Sequence, residues 1–223
     1  MPAEVTAYQL LITLREVEPS VWRRVLVRSD SSLVALHFIV QAVMGWDDVH
    51  LHQFVIHGKT YGMYKEGGIV FHDDPWQVRL TNFRLRPGER FRYEYDFGDF
   101  WQHDLRLEKI LPLEAKKTYP RCIAGEHACP PEDCGGPYAY KAVCDERWGD
   151  EHADDFLTVL TALQRFADGE WTRQDLREDE DFLEAMIRFE EWEKFNPARF
   201  DLKTVNQRLM EVAREIQGAS DRS

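Results

Sequence analysis

The chain has 223 residues, of which 43% are hydrophobic and 13% aromatic. This is enough apolar material for one large domain or a domain with an appendage, so disorder over most of the length is excluded. No stretch approaches the roughly 18 consecutive apolar residues that span a bilayer, and the first residues show no basic region followed by an apolar run. We therefore expect a soluble cytoplasmic protein that does not associate with membranes.

The formal net charge of −12 is distributed unevenly along the chain. Residues 145–196 contain 17 Asp and Glu against 6 Arg and Lys, a net charge of −11. A surface this acidic repels phosphate backbones, so the pattern disfavours nucleic acid as a partner of the C-terminal part. A basic face around Arg15, Arg23, Arg24 and Arg28 is consistent with the solvent side of a strand.

The first half of the chain alternates between β-type and helical patterns. Residues 7–16 and 21–27 are rich in β-forming residues, and the turn between them predicts a hairpin. Ser31 or Ser32 can cap a helix whose apolar residues from 33 to 43 recur at helical spacing and face the sheet. Residues 52–57 alternate as a third strand.

The middle of the chain predicts further strands and one insertion. Glycine pairs and an Asp-Asp-Pro sequence make 64–76 resemble a mobile insertion, and strands are predicted at 77–81, 90–96 and 103–110.

The C-terminal part is predicted to be helical. Three amphipathic stripes recur at helical spacing, around 156–166, 182–192 and 202–216, with Asp201 as a cap for the last. Strands with one early helix, followed by several helices, indicate an α+β fold with a mostly antiparallel sheet. We expect a sheet-rich core over 1–144, an acidic helical part over 145–217 packed on the same domain, and a frayed tail over 218–223.

Four cysteines form the first candidate site. They are Cys122, Cys129, Cys134 and Cys144, in a segment rich in proline and glycine. Zinc prefers four tetrahedral nitrogen or sulfur ligands, but the spacing contains no C-x2-C knuckle. Buried thiols that only pack and a structural zinc site both remain open, and the first is favoured.

The second candidate site combines distant segments. His50 and His52 are two residues apart at the start of a predicted strand, so both can face one cleft. Imidazoles and carboxylates suit a divalent metal or an acid–base pair. The candidate pocket residues are His50, His52, Asp96, Asp99, Trp101, His103, Glu132 and Asp133. The alternative is that the aspartates only cap turns.

Several blocks of sequence resemble one known family. They are Pro19–Arg24, Leu36-His37 with Met44-Gly45-Trp46, His50–Phe54, Tyr95–Asp99, and the loop from Cys122 to Pro137 with its Pro-Pro-Glu-Asp segment. Together they resemble the Ri-plasmid open-reading-frame-three-like proteins, also labelled transposon-passenger TnpR-like. The resemblance spans about residues 5–195 and implies a compact α+β domain without an assigned activity.

Three functions follow as hypotheses. The favoured one is a noncatalytic binding module for a protein or small-molecule partner, because no segment matches a known catalytic arrangement. The second is a metal-dependent hydrolase of a phosphorylated small molecule or nucleic acid, with the histidines and Asp96 and Asp99 as ligands and Glu132 or Asp133 as general base. The third is an accessory protein of DNA recombination, which the acidic charge disfavours.

Overall fold

The computed structural model describes residues 4–62, 74–144 and 150–220. The chain divides into two compact units. The first contains Met1–Pro137 and Ala198–Ser223, and the second contains Tyr138–Pro197.

The first unit is built on one antiparallel sheet, in which seven strands lie within the described residues. They are β1 (Thr6–Leu14), β2 (Trp22–Arg28), β3 (His52–Ile56), β4 (Lys59–Gly62), β5 (Arg90–Tyr95), β6 (Trp101–Pro112) and β7 (Arg121–Glu126). Their order across the sheet is β4-β3-β5-β6-β1-β2-β7, and each neighbouring pair is antiparallel. The long neighbouring strands β1 and β6 therefore connect the β4-β3-β5 side of the sheet to the β2-β7 side.

The two faces of the sheet differ because side chains alternate along each strand. On β1, Leu10, Ile12 and Leu14 are buried on the inner face. On the outer face, Arg24 forms an ion pair with Glu108, with 2.6 Å between Nε and Oε2. The apolar inner face forms the core, and the charged outer face remains partly exposed.

Helix α1 (Leu33–Met44) covers the inner face, and 11 of its 12 residues are buried. The Ser32 hydroxyl accepts a hydrogen bond from the Ala35 amide at 3.1 Å, and Gly45 ends the helix in the left-handed region at φ 98°. The Arg23 guanidinium is also buried and donates to the Val43 carbonyl at 2.9 Å. The expectation that Arg23 lies on the solvent side is wrong. Its side chain points to the inner face of the sheet, where it donates to a backbone carbonyl near the end of α1.

Helix α6 (Leu202–Ser220) protects the β7 edge of the sheet. The predicted cap is confirmed, since Asp201 accepts from the amides of Lys203 and Thr204 at 2.9 and 3.1 Å. The Asn206 side chain accepts from the Cys122 amide and donates to the Cys122 carbonyl, both at 3.0 Å. The Asn206 side chain thus satisfies the backbone N–H and C=O groups of one residue on the edge strand β7.

The second unit contains helices, with α2 (Gly136–Cys144) leading into it from the first. The others are α3 (Asp150–Ala167), α4 (Arg173–Glu178) and α5 (Glu180–Lys194). Arg188 of α5 pairs with Asp155 of α3 at 2.8 Å, and Ala162 and Ala185 are buried. Small residues allow two helices to approach closely.

The predicted α+β class with an antiparallel sheet is confirmed, and the predicted strand at 77–81 is wrong. A 3-10 helix occupies Leu80–Phe83. The residues before it serve helix α1 instead of a sheet, because the Val78 carbonyl accepts from the Leu33 amide at 2.9 Å. Most of the predicted insertion at 64–76, and residues 221–223 of the predicted tail, lie outside the described residues.

Candidate functional site: a histidine and carboxylate cluster beside the sheet

A loop between α1 and β3 builds one side of the candidate site. The indole of Trp46 stacks on Tyr95 with ring centroids 5.0 Å apart, and its nitrogen donates to the Pro130 carbonyl at 2.9 Å. The Tyr95 hydroxyl accepts from the amides of Val49 and His50 at 3.1 and 3.3 Å. Two aromatic side chains therefore fix this loop against both the sheet and the segment near Pro130.

Three polar side chains from three distant segments converge beside this loop. His50 Nε2 lies 2.8 Å from Asp133 Oδ1 and 3.7 Å from Asp96 Oδ2. All three ligand-type atoms lie within 4.8 Å of one another. The Asp133 side chain is 63% exposed, whereas that of Asp96 is 10% exposed. The group, called here the open cluster, faces solvent on the Asp133 side.

Both aspartates of the open cluster have left-handed backbone conformations. Asp96 has φ 55° and Asp133 has φ 56°. Aspartate tolerates this region better than most residues, but it still costs free energy unless the surroundings impose it. The other Asp96 oxygen accepts from the Gly98 amide at 2.9 Å, which fixes the carboxylate. The backbone thus aims both carboxylates at His50.

Asp99 links the turn after β5 to the segment that carries Asp133. Its carboxylate accepts from the Gly135 amide at 3.0 Å. Gly136 has φ 81°, and a Cβ there would lie 2.8 Å from the Asp99 carbonyl oxygen, so only glycine fits. Burial, with repulsion from Asp96, raises the pKa of Asp99 above its usual range. The carboxyl groups of Asp96, Asp99 and Asp133 therefore lie near one another at this end of the sheet.

Glu132 is held as part of the scaffold. One of its oxygens accepts a hydrogen bond from the Tyr95 hydroxyl, and the other accepts from the Asp47 amide at 2.7 Å. Burial, and then the Glu132 carboxylate, raises the pKa of Tyr95 well above its usual range, so the phenol stays protonated as the donor. Both Glu132 oxygens are thus committed to positioning the loop.

His52 belongs to a second group, called here the sealed group, with His37 and Asp48. His37 Nε2 lies 3.0 Å from Asp48 Oδ1, and its Nδ1 lies 2.8 Å from the Tyr93 hydroxyl. The rings of His37 and His52 stack with centroids 3.5 Å apart and planes 6° from parallel. In-plane lone pairs of parallel rings do not converge on one point, so this geometry disfavours a shared metal ion.

Two further predicted pocket residues are core residues. His103 is fully buried, and neither ring nitrogen makes a hydrogen bond of good geometry within the described residues, although the Tyr93 and Trp101 backbones lie near. Burial lowers the pKa of His103 to about 3, so its ring is neutral. Trp101 is 1% exposed. Both side chains support the site from beneath.

The cysteines show no metal-type arrangement in the described part of the chain. The two groups of closely spaced ligand-type side chains found there contain none of them, and none of the four forms a disulfide. Cys122, Cys129 and Cys134 are buried, and burial raises the pKa of Cys129 to about 12. Buried protonated thiols are typical of packing residues. A zinc ion at the cysteines stays a prediction.

The sequence interpretation missed Trp46 and Tyr95, which build the site, and His37 and Asp48, which form the sealed group with His52. All lie in or beside the blocks that carry the family resemblance. Proximity to those blocks was therefore a usable signal, whereas residue type alone selected only ionisable groups. Tyr95 is the most informative omission, because its hydroxyl connects Glu132 with the backbone of His50.

The fold and the open cluster together define a class of protein: an α+β domain on an antiparallel sheet, seven strands of which are described, with a histidine and carboxylate cluster at one end. Residues 6–204 match the sequence model of the family described as "Plasmid pRiA4b ORF-3-like protein". The chain belongs to this family.

Two relatives extend this result. The chain is 36% identical over 141 residues to "Uncharacterized protein y4hQ" of Sinorhizobium fredii (strain NBRC 101917 / NGR234), covering 61% of this chain and 71% of that protein. It is also similar to the crystal structure of the protein of unknown function MM3350 from Methanosarcina mazei Go1. There the TM-score is 0.63 at 28% identity, with 91% of this chain and 97% of the other covered. Across the described ranges, no helix has the length and hydrophobicity that crossing a bilayer requires.

Proposed function

We propose that this chain is a noncatalytic binding module whose open cluster holds a divalent metal ion. The observation that carries the proposal is the convergence of His50 Nε2, Asp96 Oδ2 and Asp133 Oδ1 within 4.8 Å. One imidazole and two carboxylates form a mixed nitrogen and oxygen set, which suits Zn²⁺, Mn²⁺ or Fe²⁺ better than an all-oxygen cation such as Ca²⁺. Asp99 lies near this group, since burial and then repulsion from Asp96 raise the pKa of Asp99.

The two carboxylates predicted as general bases, Glu132 and Asp133, are both engaged, which favours binding over catalysis. Glu132, the first candidate for a general base, has both oxygens engaged by Tyr95 and the Asp47 amide. Asp133 is paired with His50 at 2.8 Å. A metal ion held here would have a structural or recognition role, with a partner or small ligand supplying its remaining coordination.

A metal-dependent hydrolase is the second candidate function. Three protein ligands leave coordination positions open for water and substrate, which is the pattern of catalytic metal sites. The 63% exposure of the Asp133 side chain supports this alternative, because it leaves one side of the open cluster accessible. A phosphorylated small molecule is the substrate class that a divalent cation would bind.

Metal titration by calorimetry tests the proposal. We expect wild-type protein to bind one Zn²⁺ or Mn²⁺ ion and His50→Ala and Asp133→Asn to lose at least about tenfold in affinity, which equals about 1.4 kcal/mol. Asp104→Asn is the matched control. Asp104 follows the inward-facing His103 on β6, so its side chain points to the opposite face of the sheet. Equal affinity in wild type and His50→Ala would contradict the proposal.

Activity measurements separate the two candidate functions. Metal-loaded wild-type protein is incubated with p-nitrophenyl phosphate and bis-p-nitrophenyl phosphate. Metal binding without turnover supports the binding module. Turnover that Asp133→Asn abolishes and Asp104→Asn retains would replace the binding module with the hydrolase.

A further inference from the structure

A second cavity lies away from the open cluster, beside the start of helix α1. It has a volume of about 570 Å³, within the range of small-molecule sites. Side chains from the segment after β2, the segment before the 3-10 helix, the turn before β7, and helices α1 and α6 line it. All these segments belong to the first unit.

The cavity combines an apolar wall with an aromatic rim. Ile216 of α6 contributes aliphatic surface, with the buried Ile39 of α1 behind it, and Trp76 and Tyr119 contribute aromatic rings. Trp76 is 52% exposed, although it is one of the largest apolar side chains in the protein. A flat apolar group stacked on Trp76 would remove this surface from water.

Two arginines give the cavity a positive charge in a protein whose net charge is −12. Arg28 is paired with Asp30, each of two guanidinium nitrogens lying 2.9 Å from a carboxylate oxygen. Arg79 uses Nη1 to donate to the Asp30 backbone carbonyl at 2.7 Å. This bond orients the Arg79 guanidinium, whose other nitrogens carry further donors. Among the lining residues that the structure describes, Asp30 is the only carboxylate, so their net charge is +1.

The positive charge does not come from the helix terminus. The Leu33 amide donates to the Val78 carbonyl at 2.9 Å, and the Ala35 amide donates to the Ser32 hydroxyl at 3.1 Å. The Val34 amide donates to the Pro75 carbonyl at 3.4 Å. Because these amides already have acceptors, an anion in the cavity would be bound by the arginines.

We propose that this cavity binds a small organic anion that carries a flat apolar ring, with the ring on Trp76 and the anionic group on Arg79. An arginine held at one nitrogen suits a carboxylate or a phosphate through its remaining donors. The aliphatic side chains of Ala213 and Ile216 on α6 would then contact the ring. The site is independent of the open cluster and does not require metal.

The test compares charged probes with neutral probes of the same ring. One pair is 2-naphthoate and 2-naphthamide, and the other is adenosine monophosphate and adenosine. We expect a charged probe to bind at least about tenfold more tightly than its neutral counterpart, measured by calorimetry. Preference within the first pair identifies a carboxylate ligand, and preference within the second identifies a phosphate ligand.

Variants assign the interaction to the cavity. Arg79→Gln should remove the preference for the charged probe, whereas Arg86→Gln should retain it because Arg86 is exposed and does not line the cavity. Trp76→Ala should weaken both members of a pair, and its exposure makes it the decisive variant if Arg79→Gln fails to fold. The proposal is overturned if no probe binds up to about 1 mM, if charged and neutral probes bind equally, or if neither cavity variant differs from Arg86→Gln.

Discussion

Two histidine and carboxylate groups each include a residue of the loop between α1 and β3, Asp48 in one and His50 in the other, and they differ in what they can do. In the open cluster, His50, Asp96 and Asp133 converge and reach solvent. In the sealed group, His37 and His52 stack in parallel and are at most 4% exposed. Similar residue types therefore give a ligand-type site in one place and a packed polar core in the other. The direction of the donor atoms makes the difference.

The hydrogen-bond network explains why the sealed group is structural. Gln41 donates to the Tyr93 hydroxyl at 2.9 Å, and the Asp48 carboxylate, which can only accept, faces His37 Nε2. The proton on His37 then lies on Nε2, facing Asp48 at 3.0 Å. Both nitrogens of His37 are satisfied within the protein, and neither is offered to a metal ion.

The largest expected effect is on stability, at the sealed group. His37→Ala would remove a fully buried ring, its stacking on His52 and its bonds to Tyr93 and Asp48. We expect a loss of about 3 kcal/mol in the free energy of unfolding, measured by urea denaturation. His50→Ala should cost less than about 1 kcal/mol because His50 is partly exposed. Equal losses would remove the distinction between the groups.

Metal affinity should depend on the open cluster and not on the sealed group. Asp96→Asn keeps the size and the tolerance for positive φ but removes a charged ligand, and we expect about a 100-fold weaker metal Kd. Asp48→Asn makes the same change at φ 57° in the sealed group, and the Kd should stay within about twofold. The measurement is competition with a metal-binding dye. A larger effect of Asp48→Asn would place the metal in the sealed group.

His103 predicts a pH dependence that originates in the core. Its pKa is lowered by burial to about 3 in the folded protein, so the unfolded chain binds an extra proton once the pH falls below about 6.5. The stability should therefore fall by about 1.4 kcal/mol per pH unit below that value. His103→Leu should flatten this slope between pH 6.5 and 4.5, as urea denaturation across the range would show. An unchanged slope would assign the dependence to other groups.

The same pH window separates the contribution of His103 to stability from that of Glu108 on the outer face of the sheet. Hydrogen bonding from Arg24 lowers the pKa of Glu108 to about 2, so its contribution is present above pH 4.5 and is lost as the pH falls through about 2. Glu108→Gln should thus lower the stability by a constant amount above pH 4.5 and change the slope of the curve only below that value.

The smallest expected effect is at the support of the open cluster. Tyr95→Phe removes the donor to Glu132 and the acceptor for the His50 amide, while the ring stays stacked on Trp46. We expect a metal Kd about three- to tenfold weaker, since Tyr95 positions the loop and not the ion. Calorimetry on Tyr95→Phe and on a Tyr61→Phe control would measure it. A loss as large as that of Asp96→Asn would give Tyr95 a direct role.

Much of the fold could be predicted because its signals are local. Alternation predicted β1, β2 and β3, the spacing after Ser32 predicted α1, and three stripes predicted α3, α5 and α6. Segments whose structure depends on distant partners were missed. β7 forms in the cysteine segment because β2 offers it an edge, and residues 77–81 lose their strand character because they bond to α1 and the segment before it.

The sequence by itself determined the class of fold, the family and the set of ionisable residues from which any site must be drawn. It also favoured a meeting of His50 with the acidic segments. Only the tertiary structure decided that Asp96 and Asp133 join His50, that His52 stacks on His37, and that Glu132 supports the loop. The physical reason is that local periodicity fixes which face a side chain occupies, whereas donor direction and burial depend on residues up to 85 positions away.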